Sequence, residues 1–145
     1  MNATTVPAGY HTINPCLSVQ GAAELLEFLK KAFNARELER FETPQGSIAH
    51  ATLQIGDSVI MLGEQKGEGG MATGSFYLYV DDADLVYRQA LAAGAVSLLE
   101  PADQFWGDRQ GAVRDRFGNL WQIATHLEDV PTDEIERRMA ACRAM

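Results

Sequence analysis

Cysteine is scarce: the 145 residues hold two, Cys16 and Cys142, too few and too far apart for a disulfide framework or a cysteine zinc site. A reducing cytoplasm is therefore the expected setting. Basic side chains are also few. Twelve Lys and Arg stand against twenty Asp and Glu, for a net charge of −8. Phosphate contacts need Lys and Arg, so nucleic acid is not an expected partner. An anionic membrane surface is excluded on the same ground. No apolar run approaches the roughly 20 residues that span a bilayer. The opening MNATTVPAGYH has no basic stretch followed by an apolar one, so no signal peptide is expected. What remains is an ordinary globular composition, 46% hydrophobic and 22% charged, sized for one domain or for two small halves sharing a core.

Hydrophobic periodicity orders the elements. Ile13 to Val19 alternates and reads as a strand. From Ala22 the period lengthens: Ala22, Leu25, Leu26, Leu29 and Phe33 fall on one helical face, and Asn34 is suited to end the helix. Strands are expected at Glu37–Phe41, Ser47–Ile55 and Val59–Leu62, with turns at Pro44-Gln45-Gly46 and Gly56-Asp57-Ser58. The glycine-rich stretch 63–74 reads as a linker. A second round follows: strand Phe76–Val80, a helix over Ala83–Ala93 capped by Asp81-Asp82 and closed by Gly94, then strands at Val96–Glu100, Gln110–Asp115 and Leu120–Thr125. A last helix is expected over Thr132–Ala144. The fold class is α+β: two βαβββ modules, residues 13–62 and 75–127, in one domain of residues 1–145 with a C-terminal helix at 131–144.

An offset of 61 residues superimposes the two rounds. It sets Cys16-Leu17-Ser18-Val19 on Tyr77-Leu78-Tyr79-Val80, and Val59-Ile60-Met61-Leu62 on Leu120-Trp121-Gln122-Ile123. Strand alternation then sorts the faces. Leu17, Val19, Leu53, Ile60, Leu62, Leu78, Trp121 and Ile123 go towards the helices. Asn14, Cys16, His50, Thr52, Met61, Ser75, Tyr77 and Gln122 share the other, mixed face. A sheet face of aromatics and scattered polar groups suits a ligand cavity.

Paired βαβββ rounds, with Gly107-Asp108-Arg109-Gln110-Gly111 followed by Asp115-Arg116-Phe117-Gly118-Asn119, resemble the vicinal oxygen chelate superfamily. This is the family of glyoxalase I, extradiol dioxygenases and the fosfomycin- and bleomycin-resistance proteins. The segment His50 to Ser58 resembles its glyoxalase/bleomycin-resistance branch. Arg116 departs from the Pro usual in that turn. The resemblance implies curled mixed sheets, a small-molecule ligand in a cup and a homodimer. In metal-dependent members it also implies four inward His or Glu ligands. Carried over, those positions are Asn14, Met61, Ser75 and Gln122, none of them a usual ligand of a divalent transition ion.

No metal and no other cofactor is therefore expected, and the ligand-binding candidates are Asn14, Cys16, His50, Met61, Ser75, Tyr77, Trp106, Arg109 and Gln122. Trp106 offers a stacking surface. Arg109 offers a fork for carboxylate or phosphate, or else an ion pair with Asp108 that holds its loop. Cys16 either lines the cavity or packs; no base that would activate it is identifiable. His50 is a hydrogen-bonded pocket residue or a general base, and His126 a surface residue beside Glu128 and Asp129. Together with Glu64 these two histidines form the alternative, a displaced metal set. Two functions follow. One is a non-enzymatic binder that sequesters an aromatic or cationic molecule. The alternative is a metal-dependent lyase, isomerase or dioxygenase.

Overall fold

The computed structural model describes residues 5–65 and 72–143. The chain divides into two compact units, Met1–Gly74 with Phe117–Asn119, and Ser75–Arg116 with Leu120–Met145. Each unit is a mixed four-stranded sheet with a helix on one face.

In the first unit, β1 (Cys16–Val19) leads to α1 (Ala22–Phe33), then β2 (Arg36–Glu42), β3 (Ile48–Ile55) and β4 (Ser58–Glu64). The sheet order is β1-β4-β3-β2, with β1 parallel to β4 and the other pairs antiparallel. Leu25, Leu26 and Leu29 of α1 are fully buried, as are Val19, Leu53 and Leu62 of the sheet. The helix ends where Asn34 turns left-handed at φ 56°, its N–H bonding the Lys30 carbonyl. Its start has no side-chain cap of its own. Instead the Glu64 carboxylate accepts from Gly21 N at 2.9 Å and from Ala22 N at 3.1 Å. A negative group at a helix N-terminus complements the orphan amides and the dipole.

Two sequence expectations change here. The first strand starts at Cys16 rather than Ile13. Pro15 cannot donate to a ladder, Ile13 is exposed, and Asn14 folds back on the turn before it. The expected linker is ordered at both ends. Strand β4 runs through Gly63 and Glu64, which pair with Ser18 and Val19 of β1, and Gly63 is glycine because a Cβ there would come within 2.7 Å of the Ala49 carbonyl. At the far end Ala72 exchanges two 2.9 Å backbone bonds with Ser18. The rest of that stretch, 66–71, lies outside the described residues.

In the second unit the order repeats: β5 (Ser75–Tyr79), α2 (Ala83–Ala92), β6 (Val96–Asp103), β7 (Asp108–Arg114) and β8 (Leu120–His126), then α3 (Thr132–Arg143). The expected Ala144 at the end of α3 lies outside the described residues. The sheet order is β5-β8-β7-β6. Cys16 pairs with Met61 in the first sheet and Tyr77 with Gln122 in the second, so the 61-residue offset is reproduced in the parallel registers. Asp82 caps α2 by accepting from Leu85 N at 3.1 Å. Trp121, buried, stacks on Phe76 and donates to Asp115 Oδ2 at 2.8 Å. Strand β6 forms an edge; Pro101 lies within it, and its pairing with β7 slips at two places.

Strands ran longer than the periodicity implied where register extends them. Asp108 and Arg109 join β7 because His126 and Thr125 lie opposite them.

Candidate functional site

The antiparallel hairpin of β7 and β8 sets Asp108 across from His126, Gln110 across from Ala124 and Ala112 across from Gln122. Tyr77 and Tyr79 belong to the same sheet face through β5. This face points away from α2, whose side carries Trp121, Ile123 and Val113. Alternation thus collects two phenols, a carboxylate, an imidazole and two amides on one surface of the second unit.

Asp108 is the centre. Its residue is 2% exposed, and its carboxylate accepts four hydrogen bonds. Tyr77 Oη donates to Oδ2 at 2.7 Å, Tyr79 Oη at 3.0 Å and Trp106 Nε1 at 3.2 Å. His126 Nδ1 lies 2.8 Å from Oδ1. Burial pushes the Asp108 carboxyl up, but the bonds from His126, Tyr77 and Tyr79 outweigh it and hold it below the ordinary carboxylate range. The second His126 nitrogen meets Asp129 at 2.7 Å. Held between Asp108 and Asp129, the imidazole is raised above its ordinary value and favours the doubly protonated cation. Burial and the Asp108 carboxylate push the Tyr77 phenol up to about 12, and burial foremost raises Tyr79.

Trp106 reaches this cluster from a tight loop. Its indole N–H also lies 3.0 Å from Tyr77 Oη. The next residue, Gly107, has φ 104°, and a Cβ there would lie 2.3 Å from the Glu128 carbonyl. Its own carbonyl accepts from Leu127 N and Glu128 N. From α3, Arg138 donates to the Phe105 carbonyl at 3.0 Å. The glycine in Gly107-Asp108-Arg109 is thus a steric requirement of the loop that carries the indole.

Arg109 stands apart from these groups. Strand alternation puts it on the helix side, where Nε donates to Asp84 Oδ1 of α2 at 2.8 Å and Nη1 to Asp103 Oδ1 at 3.0 Å. The expected Asp108–Arg109 pair does not form; adjacent strand residues point to opposite faces. The structure therefore does not bring Arg109 to the mixed face.

The remaining candidates are spread between the units. Gln122 accepts from Gln110 Nε2 at 3.2 Å, next to the Asp108 cluster, and Ser75 opens β5 opposite Leu120. In the first unit, Cys16 is exposed and pairs with the half-buried Met61. His50 Nε2 lies 3.1 Å from Thr52 Oγ1, which Tyr10 Oη also approaches at 3.4 Å. Asn14 is bound to the turn before β1: its amide donates to the His11 carbonyl at 2.7 Å and its oxygen accepts from His11 N at 3.0 Å.

Asp108 and Asp129 were not among the expected site residues. One signal marks the first. Asp108 and His126 are equidistant from Phe117, so a symmetric hairpin about the 115–119 turn brings them together.

A comparison with protein families finds that residues 10–123 match the model of the Glyoxalase/Bleomycin resistance protein/Dioxygenase superfamily. The chain belongs to this superfamily. The uncharacterised protein Mb0911c of Mycobacterium bovis is 35% identical over 141 residues, covering 89% of this chain and 92% of its own. Among solved structures, TioX from Micromonospora sp. ML1 is 28% identical with a TM-score of 0.64, covering 79% of this chain and 99% of that one. Protein PA1353 of Pseudomonas aeruginosa has the same fold, with a TM-score of 0.67 at 21% identity, over 81% of this chain and 99% of its own.

The metal-binding positions that the superfamily resemblance implies hold Asn14, Met61, Ser75 and Gln122, and these do not fit a divalent transition ion. Two are carboxamides already bonded to protein partners, one is a thioether and one a neutral hydroxyl. The displaced set fares no better in chemistry: Glu64 is spent on the α1 amides and both His126 nitrogens on carboxylates. Among the described residues no group of three His, Cys, Asp or Glu is arranged to hold a metal. No helix among them is long and apolar enough to cross a membrane.

Proposed function

We propose that the protein binds a small aromatic molecule, cationic or rich in hydrogen-bond donors, and sequesters it without transforming it. One observation carries this reading: on the mixed face of the second unit the phenol, indole and imidazole donors are already spent. The protons of Tyr77, Tyr79, Trp106 and His126 go to Asp108 and Asp129. What stays open to a ligand is ring surface, oxygen acceptors and the Gln122 amide nitrogen. Such a face favours a partner that brings its own donors or positive charge, and the net charge of −8 draws cations to it. The same arrangement is poor for acid–base work. A phenol pushed up to about 12 is no base at neutral pH, and an imidazole with both nitrogens bonded to carboxylates has no lone pair to offer.

A homodimer acting in the cytoplasm belongs to the same proposal. Isothermal calorimetry against a panel of glycopeptide and polycyclic antibiotics, with sedimentation of the free and bound protein, tests it. Micromolar or tighter binding without turnover of the ligand is expected. Absence of binding across the panel, or conversion of a bound compound to product, overturns it.

A further inference from the structure

At the C-terminal ends of β5 and β8 the second unit has a depression of about 360 Å³, walled by Tyr79, Val80, Asp81, Thr125 and His126. That volume is at the lower end of the roughly 300–1,000 Å³ typical of small-molecule sites. We propose that this depression seats an alkylammonium group. The inference deepens the reading above by naming the charged part of the ligand and its place.

The walls select by what they withhold. Thr125 donates its proton to the Val80 carbonyl at 2.9 Å and accepts from Ala83 N at 2.8 Å. Tyr79 gives its proton to Asp108, and both nitrogens of His126 face carboxylates. The start of α2 is nearby, with two of its first amides already taken: Ala83 N is bonded to Thr125 and Leu85 N to Asp82. An anion entering here finds no side-chain donor on the wall. A cation finds two kinds of partner. Asp81 is exposed and has no hydrogen bond or ion pair among the described residues. Tyr79 is 61% exposed, and its hydroxyl leans on a carboxylate, which enriches the π face that attracts ammonium groups. Asp81, Asp108 and Asp129 outnumber the single imidazolium of His126, so the local field is negative even when that ring is charged.

The ring of His126 also supplies an internal check. It faces Asp108 from β7, Asp129 beyond β8 and the edge of the Tyr79 ring from β5, with Asp81 across the depression. When it loses its proton the site gains net negative charge, so a bound cation is held more tightly. By linkage, the cation makes that proton easier to lose.

NMR titration of the ¹⁵N-labelled full chain with choline, and with its neutral carbon isostere 3,3-dimethylbutan-1-ol, tests the site. Choline is expected to shift the amides of residues 79–81 and 125–126 in the millimolar range, about tenfold more tightly than the alcohol. Asp81→Asn, at an exposed position, is expected to weaken choline about fivefold and leave the alcohol and the amide spectrum of the rest of the chain unchanged. Tyr79→Leu should weaken both, choline more. Choline affinity should rise as His126 titrates. Equal shifts from both compounds, no saturable shift up to about 100 mM, or affinity untouched by Asp81→Asn overturns the proposal. If choline binds here while no antibiotic binds, only the wider reading fails. Antibiotics that bind regardless of charge, with no choline site, sink only this one.

Discussion

His126 and Asp108 meet across the β7–β8 hairpin with Nδ1 2.8 Å from Oδ1, the one exposed to about half, the other buried. Each shifts the other's proton affinity, and stability must follow. His126 is raised in the folded chain above its ordinary 6.5, so its contribution is complete below that pH and is lost as pH rises through the folded value. Asp108 is lowered from 3.8, so its contribution holds above that pH and is lost as pH falls through the folded value. Urea midpoints should therefore decline as pH rises from the ordinary imidazole value through the raised folded one, and His126→Gln should remove that decline. Parallel pH profiles for the two proteins would show that the pair does not act in this way.

Glu64 should matter to folding through α1 alone. Glu64→Ala strips the acceptor from Gly21 N and Ala22 N and is expected to cost about 1–2 kcal/mol, with Glu64→Gln recovering part of it. Urea denaturation followed by far-ultraviolet dichroism measures both. A neutral result for Glu64→Ala would mean that solvent caps the helix equally well.

Gly107 is the tightest position in the loop that carries Trp106. Gly107→Ala adds a Cβ against the Glu128 carbonyl at positive φ, and a loss of about 2–3 kcal/mol is expected. The indole N–H resonance of Trp106 should move with it, since the loop must open to admit the methyl. An unchanged resonance together with wild-type stability would refute the steric account.

Arg109 tests the assignment of faces. It ties β7 to Asp84 of α2 and to Asp103 of β6. Arg109→Gln is expected to lower the thermal midpoint by a few degrees and to leave ligand affinity unchanged. Arg109→Lys should rescue only part of the stability, because a point charge cannot reproduce the two-pronged contact with Asp84. A large loss of affinity at wild-type stability would place this residue in the binding site after all.

Much of the architecture could be read from apolar spacing. Leu25, Leu26 and Leu29 announced the helix face and Asn34 its end, and the repeated offset announced two equivalent rounds, while the parallel pairing of β1 with β4 and of β5 with β8 came only with the structure. Glycine misled where backbone approach, not flexibility, was its purpose, as at Gly63. The site was less legible because hydrogen-bond partners depend on register across a hairpin. Asp108 looked like the neighbour of Arg109 in sequence, yet successive strand residues face opposite ways, and its partner is His126, 18 residues on. Tyr77, Trp106 and Gln122 could be chosen by parity and type, whereas Asp129 and Asp81 lie in loops where no period speaks.

Strand β6 ends with a consequence for the chain's life in a crowded solution. An outer strand with a straight, open row of amides invites foreign chains to add to it and grow into fibres. Here Pro101 leaves a gap in that row and two slips in pairing crumple what remains, so the margin is a poor template for polymerisation despite the bare Val96, Leu98 and Leu99 along it.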